Sequence, residues 1–354
     1  MLWRILRTDA VGIFENYEIL KCIPRYVSIV KGKEEAYHLK AKRVKVEIPL
    51  SSPLDKLWKE HDRLLSVLKR GADEDELASP NLLDLKAEIA MRLLESCIFC
   101  ERRCKVNRVK GEKGFCRLDS RARVASYFSH IGEEPPLIPS GTIFFSSCNF
   151  RCVYCQNWDI STNPESGYPV DEVRLARIMD KLVANGCINI NLVGGDPTPN
   201  LHVILKALRH FEKNVPIIWN SNLYNSVESM KLLDGVIDLW LPDFKYWNDK
   251  CAESLSSVPN YREIATRNHL IAYRSGEVLI RHLVIPGHIE CCTKPILKWI
   301  AENMPKALVN IMGQYRPEHQ AYKIDQINRR PTHTEMRQAY TLADRLGLNY
   351  KSVS

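Results

Sequence analysis

The hydrophobic pattern of this 354-residue chain changes character near residue 142. Beyond that point, short apolar runs rich in β-branched and aromatic residues recur, and segments with apolar residues every three or four positions separate them. Nearly continuous apolar strands that alternate with helices predict a parallel sheet covered by helices. The predicted strands span residues 142–146, 188–193, 215–219, 236–241, 278–285 and 307–312.

Capping residues mark the ends of several intervening helices. Asp171 can cap one helix, and Ser226 can cap another. Thr332 and Glu335 form a capping box for the last helix, which we expect to stop at Gly347. The pattern therefore predicts an α/β fold, and by itself it allows both a barrel and a doubly wound sheet.

Residues 1–92 carry no recognisable motif. Their alternating stretches at 25–30 and 43–48 predict strands, and the periodicity at 53–68 and 82–94 predicts helices. We therefore expect an N-terminal accessory region with an α+β composition. A Cys-rich segment over residues 93–130 and a main domain over residues 131–354 follow it.

Composition excludes two classes of protein. No apolar run approaches the roughly 20 residues that span a bilayer, so we expect no membrane association. Twelve cysteines would suit a secreted disulfide scaffold, but seven of them fall into two tight clusters, which predicts metal ligands in a reducing cytoplasm. The net charge of +8 permits an anionic partner such as a nucleic acid without requiring one.

The first predicted strand leads into Cys148, Cys152 and Cys155, spaced Cys-x3-Cys-x2-Cys. Thiolates this close in sequence can surround one iron–sulfur cluster. A four-iron cluster held by three cysteines keeps one iron open for a ligand. A structural zinc site needs four protein ligands, and the next cysteine is Cys187, which disfavours zinc here.

A second cysteine cluster precedes the first. It consists of Cys97, Cys100, Cys104 and Cys116, and the glycines between the last two allow the chain to turn back. Four thiolates form a closed site that suits either a second iron–sulfur cluster or a structural zinc ion. Cys22, Cys187, Cys251, Cys291 and Cys292 are interpreted as small apolar residues, and we expect that the adjacent pair does not share a metal ion.

The motif Cys148-x3-Cys152-x2-Cys155, with Tyr154 before the last cysteine, resembles the signature of radical S-adenosylmethionine (SAM) enzymes. Its continuation Gln156-Asn-Trp-Asp is similar to pyruvate formate-lyase activating enzymes and their iron–sulfur relatives. The resemblance implies a partial (β/α)6 TIM-like barrel. It also implies a [4Fe-4S] cluster that binds and reductively cleaves SAM, giving a 5'-deoxyadenosyl radical that abstracts hydrogen from a substrate.

The resemblance also implies a set of SAM-binding residues at the carboxyl ends of the strands. The segment Gly194-Gly195-Asp196 corresponds to a Gly-Gly-Glu segment of the family, with Asp in place of Glu. Tyr154 is expected near adenine. Asn220 is either a ligand contact or a helix-capping residue. The remaining implied contacts are Asp243, Lys245 and Arg281, for which an ion pair is the alternative.

The leading functional hypothesis is an enzyme that activates a glycyl-radical partner. The alternatives are radical modification of RNA or of a peptide, and a non-catalytic metal-binding or electron-transfer protein. We expect reduced flavodoxin or ferredoxin as the electron donor. Basic residues near the second cysteine cluster either receive an anionic partner or are solvated charges: Arg102, Arg103, Lys105, Arg108, Lys110 and Lys113.

Overall fold

The computed structural model of the chain describes residues 3–71 and 76–354. Residues 1, 2 and 72–75 of the predicted N-terminal region lie outside the described residues. The fourteen α-helices of the described part are α1 Trp3–Leu6, α2 Tyr17–Cys22, α3 Pro24–Val30, α4 Tyr37–Ala41, α5 Leu54–Lys69, α6 Leu82–Leu93, α7 Trp158–Ser161, α8 Glu172–Ala184, α9 Leu201–His210, α10 Val227–Leu233, α11 Asp249–Ser256, α12 Tyr261–Ser275, α13 Lys294–Asn303 and α14 His333–Leu346.

A single eight-stranded sheet organises the chain, in the order β3-β1-β2-β4-β5-β6-β7-β8. Six strands, from β2 to β8 without β3, run parallel, and β1 is antiparallel to β2. The strands are β1 Ala122–His130, β2 Ser140–Phe145, β3 Tyr168–Val170, β4 Ile190–Gly194, β5 Ile217–Ser221, β6 Leu239–Pro242, β7 Glu277–Leu283 and β8 Leu308–Met312. No described pairing joins β8 to β3, so the barrel is open, and the predicted partial (β/α)6 fold is confirmed.

The predicted helix caps form at the expected positions. The Asp171 side chain accepts from Arg174 N at the start of α8, and the Ser226 side chain accepts from Ser229 N at the start of α10. Thr332 and Glu335 form the capping box of α14. These local signals fix where each helix leaves the sheet, so the loops at the carboxyl ends of the strands remain available for a site.

The two strands predicted for the N-terminal region are wrong. Residues 25–30 lie in α3, and residues 43–48 form no strand beyond one isolated bridge, from Lys45 to Asn81. Pro24 occupies the first turn of α3, and the Glu277 carboxylate accepts hydrogen bonds from the backbone N–H groups of Arg25 (2.6 Å) and Tyr26 (2.7 Å). These contacts satisfy the first donors of a helix, and they override the strand preference of the β-branched residues.

Helices α2 and α3 fill the barrel at the amino ends of its strands. Residues such as Ile23, Tyr26 and Val27 share one apolar cluster with the inward-facing Leu239 and Leu279 of β6 and β7. The buried Asp238 accepts a hydrogen bond from Arg25 at 2.7 Å, which fixes α3 to the sheet. We call α2 and α3 together the plug. The plug closes one end of the barrel, so ligands must approach from the carboxyl ends or through the open side.

None of the helices within residues 3–71 and 76–354 combines the length and the apolar character that a membrane crossing requires. Strand β1 belongs to the barrel sheet although its residues lie in the predicted Cys-rich segment. The division at residues 92 and 130 therefore stays a prediction about domains.

Candidate metal and cofactor site

The three cysteines of the central motif lie on the loop that leaves β2. Cys148 is buried, and Cys152 and Cys155 are half-buried. Each sulfur has a hydrogen-bond partner: Phe150 N with Cys148 Sγ (3.3 Å), Ser256 Oγ with Cys152 Sγ (3.0 Å) and Ser161 Oγ with Cys155 Sγ (3.2 Å). Hydrogen bonds to sulfur stabilise thiolates and tune the potential of a cluster that they hold.

The spacing of the sulfurs distinguishes a cluster from a single ion. A tetrahedral zinc ion with bonds of about 2.3 Å holds its thiolates roughly 3.8 Å apart. Among the described residues, no three of these seven clustered cysteines bring their sulfurs within 4.8 Å of one another. Wider spacing suits cysteines that bind separate irons of one cluster. Neither cysteine set is therefore arranged as a compact single-ion site among the described residues.

Cys97, Cys100, Cys104 and Cys116 converge on one cavity, as the spacing predicts. All four line a small pocket of about 20 Å³, together with Phe99, Phe115 and Pro199. Arg108 is 1 % exposed, and its Nη1 lies 3.8 Å from Cys97 Sγ. A buried cation needs negative charge nearby, which thiolates or a thiolate-bound cluster supply.

The two cysteine sets are held directly against each other. Ser147, which precedes Cys148, donates a hydrogen bond to the carbonyl oxygen of Cys116. The Arg151 guanidinium donates to the carbonyl oxygens of Cys148 (2.9 Å) and Phe115 (2.5 Å). One set of loops therefore positions both candidate clusters.

Arginines of the predicted basic surface are largely engaged in the structure. Arg102 donates to the Asn149 carbonyl oxygen at 3.0 Å, and Arg103 pairs with Glu101 (2.7 Å) and Glu228 (3.0 Å). Lys105, Lys110 and Lys113 are exposed. The lysines therefore remain for a partner, whereas the arginines build the site.

Gly194, the last residue of β4, and Gly195, which follows it, have a packing role. A Cβ on Gly194 would lie 2.2 Å from the backbone of Phe145, and a Cβ on Gly195 would lie 1.9 Å from the Ser147 carbonyl oxygen. Gly194 also has a φ of +124°. Only glycine therefore lets the end of β4 pair with the start of the cysteine loop. We expected these glycines to admit a ligand, and that contact stays a prediction.

Asp196 and the polar residues after β5 form one buried network behind the cysteine loop. The Asp196 carboxylate accepts hydrogen bonds from Thr198 N (2.9 Å), Ser221 Oγ (2.9 Å) and Asn222 N (3.1 Å). Burial raises the pKa of Asp196 despite these donors. Asn222 continues the network, because its amide donates to Asn149 at 2.7 Å. The network fixes the backbone that follows Cys148.

The side-chain amide Nδ2 of Asn220 is buried without a hydrogen-bond partner in the described structure. The side chain is 5 % exposed and lines the main cavity. An unpaired buried donor costs about 1–3 kcal/mol unless a ligand or water accepts its hydrogen bond. Asn220 is therefore a candidate ligand contact and not a helix cap, since Ser226 caps α10.

Asp243 and Lys245 follow β6 and form an ion pair at 2.7 Å, which was the alternative to the predicted SAM contact. Burial lowers the pKa of Lys245, but Asp243 and Cys152 outweigh it and raise the pKa. Lys245 in turn lowers the pKa of Cys152, although burial leaves that thiol at about 11. A cation beside Cys152 is suitably placed for a ligand carboxylate, and this role stays a prediction.

Arg281 lies inside the barrel, where its partners are Glu133 and Glu134 and not Asp243. It donates to both Glu134 oxygens at 2.7 Å and also pairs with Glu133. Burial would raise the pKa of Glu133, but Arg281 and a hydrogen bond from His130 lower it to about 2. The two glutamates were missed because they lie in a Pro-rich segment that reads as a connector. The only sequence feature that pointed to these glutamates was Arg281, because an arginine inside the barrel needs an anion nearby.

Tyr154 is buried, and its hydroxyl takes part in a chain of hydrogen bonds that ends at a cysteine. Tyr154 Oη lies 2.5 Å from Tyr246 Oη, which lies 2.6 Å from Ser256 Oγ, and Ser256 donates to Cys152 Sγ. Since each hydroxyl carries one proton, Tyr246 must donate to Ser256, and Tyr154 must donate to Tyr246. The adenine contact of Tyr154 stays a prediction. In the structure, its hydroxyl is linked through Tyr246 and Ser256 to the Cys152 sulfur.

A polar cavity of about 670 Å³ lies beside these groups, inside the open barrel. Its walls combine the glutamate pair, Arg281 and Asn220 with side chains from both chain ends. The other lining residues that concern function are Arg7, Asp9, His130, Gln156, Asn157, Asn310, Gln314 and Lys351. Its volume lies within the usual range for small-molecule sites.

The interpretation of Cys251, Cys291 and Cys292 as unrelated apolar residues is wrong. Their sulfurs lie within 4.8 Å of one another, so the adjacent pair does face a common point. Cys22 and Cys187 are buried, as expected for small apolar side chains.

Residues 142–300 match the family model of the radical SAM superfamily. The chain is 45% identical over 334 residues to Methanocaldococcus jannaschii "Uncharacterized protein MJ0674", covering 92% of this chain and 98% of the relative. A second protein of that organism, "Uncharacterized protein MJ0808", is 29% identical over 118 residues, covering 29% of this chain and 35% of the relative.

Solved structures with similar parts include Streptococcus suis SuiB bound to the precursor peptide SuiA. It has a TM-score of 0.44 and 16% identity, covering 59% of this chain and 47% of SuiB. Methylornithine synthase PylB has a TM-score of 0.43 and 16% identity, covering 59% of this chain and 69% of PylB. The chain thus spans about half the length of SuiB.

Proposed function

Because this chain belongs to the radical SAM superfamily, we propose that it abstracts a hydrogen atom from a compact polar substrate bound in the 670 Å³ cavity. The observation that carries the proposal is the position of Cys148, Cys152 and Cys155. Their loop follows β2 at the carboxyl ends of the barrel strands, and the adjacent Gln156 and Asn157 line a cavity rich in hydrogen-bonding groups.

The three thiolates of this loop would hold a [4Fe-4S] cluster, and the residues present fit it. No fourth cysteine belongs to the loop, so one iron stays open for SAM. When bound, the cluster and SAM together supply a 5'-deoxyadenosyl radical after one-electron cleavage of the sulfonium. The chain requires a reducing partner for this step, and the exposed lysines near the second cluster support an acidic flavodoxin or ferredoxin.

The protein's own residues would bind and orient the ligands. Lys245, raised in pKa beside Asp243 and Cys152, stays charged and would attract the carboxylate of SAM. Asn220 would donate its free amide hydrogen bond to SAM or the substrate. The cavity presents charges of both signs, with Glu133 and Glu134 against Arg281, Arg7 and Lys351, which favours a compact polar substrate that offers both hydrogen-bond donors and acceptors.

We assign the second cysteine set to an iron–sulfur cluster. In the part of the chain that the structure describes, no three of its sulfurs lie within 4.8 Å of one another, as the thiolates of a zinc ion would, which supports this assignment, and its contact with the first loop through Ser147 supports a role in electron supply. Cys97, Cys100, Cys104 and Cys116 would be its ligands.

Activation of a glycyl-radical partner is the second candidate. Gln156 and Asn157, which belong to the segment that resembles the activating enzymes, line the cavity wall. A partner's glycine loop would have to enter past Arg7 and Asp9 of the N-terminal segment, which line the same cavity. The small-molecule proposal therefore takes precedence. Nothing in the cavity favours RNA.

The test is anaerobic reconstitution followed by reaction with SAM and dithionite. We expect 5'-deoxyadenosine from the wild-type protein and none from Cys152→Ala. Transfer of deuterium from labelled candidate substrates into 5'-deoxyadenosine would identify the substrate, and a protein-borne radical doublet in a partner would favour activation instead. If a reconstituted protein with a full iron content formed no 5'-deoxyadenosine, the proposal would be wrong.

A further inference from the structure

Three cysteines outside both clustered sets share one small volume. The sulfurs of Cys251, Cys291 and Cys292 lie within 4.8 Å of one another, and Cys251 Sγ lies 3.9 Å from Cys291 Sγ. The proposed radical chemistry does not use them. Seven other cysteines are accounted for by the two wide sets, so this third group needs its own explanation.

The spacing of these sulfurs suits a single ion. Three thiolates bound to one metal ion at about 2.3 Å lie roughly 3.8–4.0 Å apart in tetrahedral or trigonal geometry. The observed 3.9 Å falls in that range. The same distance is too short for thiolates on separate irons of a cubane cluster and too long for a disulfide bond, whose sulfurs are about 2.05 Å apart.

Two neighbouring loops at the carboxyl ends of β6 and β7 build the group. Cys251 lies in the first turn of α11, and Cys291 and Cys292 lie in a π-helical turn, Ile289–Thr293. A π turn closes i→i+5 hydrogen bonds and rotates less per residue than an α-helix, so adjacent side chains point in more similar directions. This rare turn explains how two consecutive cysteines reach one point.

Accessibility and ligand type complete the site. Cys292 is 1 % exposed, whereas Cys251 and Cys291 are half-buried, so an ion can enter from the surface and leave one position to solvent. Thiolates are soft ligands that select thiophilic ions such as Zn²⁺.

We propose that Cys251, Cys291 and Cys292 bind one thiophilic metal ion of the Zn²⁺ type as three thiolates, with the fourth position open to solvent. Each thiol loses its proton on binding, so three protons are released for each ion, and no oxidation occurs. The proposal does not depend on the radical chemistry.

The ion would brace the cluster loop through α11. This helix carries Cys251 near its start and Ser256 at its end, about 7.5 Å apart along the axis. The carbonyl oxygens of Leu255 and Ser256 accept hydrogen bonds from Val153 N (2.8 Å) and Arg151 N (3.0 Å). A metal ion that fixes the first turn of α11 therefore fixes the support of the Cys152 loop.

The experiment counts zinc in full-length protein whose two cluster sites have first been loaded with iron and sulfide under nitrogen, so that they do not take up zinc. Zn²⁺ is added, the excess is removed with a weak chelator, and metals are counted by mass spectrometry. We expect the wild type to retain one more zinc ion per chain than Cys251→Ser/Cys291→Ser. The matched control Cys22→Ser/Cys187→Ser, which removes two cysteines elsewhere, should retain as much as the wild type.

A second measurement uses the wild type alone, in case the double variant fails to fold. Iodoacetamide labelling, mapped by peptide mass, should modify Cys251 and Cys291 more slowly after Zn²⁺ is added. Equal zinc retention in variant and wild type, equal labelling rates, or a Cys251–Cys291 disulfide in protein kept under nitrogen would each overturn the proposal. Because iron content and 5'-deoxyadenosine are measured separately, failure of the radical chemistry leaves this result interpretable.

Discussion

Removal of the Ser256 hydroxyl tests whether a hydrogen bond to the Cys152 sulfur sets the reduction potential of the cluster. Ser256 Oγ donates to Cys152 Sγ at 3.0 Å and is itself hydrogen-bonded by Tyr246. Ser256→Ala deletes this donor without changing a ligand. Because the hydrogen bond is strongest when the cluster carries most negative charge, it stabilises the reduced state, and its loss should lower the reduction potential.

The magnitude follows from the strength of one hydrogen bond. A net hydrogen bond contributes about 0.5–1.5 kcal/mol, and one to a charged acceptor contributes more. If about 1 kcal/mol of this differs between the two oxidation states, the potential falls by about 40 mV, since 59 mV is a tenfold change for one electron. Tyr246→Phe keeps the Ser256 donor and removes only its polarisation, so its effect should be about 10–30% as large.

The assay is an anaerobic potentiometric titration followed by electron paramagnetic resonance. Ser254→Ala is the matched control, because Ser254 lies on the same helix and is exposed. In the described structure, its hydroxyl donates a hydrogen bond to the Cys251 carbonyl oxygen and not to a sulfur. We expect the potentials to fall in the order control, Tyr246→Phe, Ser256→Ala. A Ser256→Ala potential equal to that of the control, or higher, would refute the reasoning.

Three further expectations concern the clusters and the fold. Cys152→Ala should abolish 5'-deoxyadenosine formation, whereas Cys100→Ala should leave the SAM-binding cluster assembled; loss of both cluster signals from Cys100→Ala would contradict two independent sites. Arg281→Met leaves two buried carboxylates without their cation and should lower the unfolding free energy by about 3–5 kcal/mol, measured by urea titration of the loaded protein; an unchanged midpoint would contradict the ion-pair assignment. Burial raises the pKa of Glu277 to about 7, so the stability that protonated Glu277 contributes is complete below the unfolded pKa of 4.5 and is lost as the pH rises through 7. Between pH 5 and pH 8, the melting temperature should therefore fall more steeply for the wild type than for Glu277→Gln. Parallel curves for the two proteins would contradict this expectation.

The parallel strands could be predicted because they are buried on both faces and therefore read as continuous apolar runs. Strand β1 was missed because Phe128 is exposed, Tyr127 is only partly buried, and its pattern mixes polar with apolar residues. Residues 25–30 were misread as a strand because the group that starts α3 as a helix, Glu277, is about 250 positions away. The conformational preference of residues 25–30 themselves carries no information about a contact with so distant a residue.

Proximity that follows from sequence spacing was predicted, and proximity that follows from folding was not. Cys97 and Cys116 were grouped correctly because the segment that joins them is short. The group formed by Cys251 with the adjacent pair was missed, because it needs two loops to meet and a π turn to form. Glu133 was overlooked for the same reason, since its partner lies in β7.

The plug at the floor of the barrel has a consequence for biosynthesis. The segment that includes Tyr26 leaves the ribosome before its apolar partners, one of which, Leu308, is about 280 residues later in the sequence. At roughly 5–20 residues per second, the interval is about 15–60 seconds. During that time α2 and α3 have no completed barrel to pack into. The nascent chain therefore exposes their apolar side chains, which chaperones would bind until β8 has been synthesised.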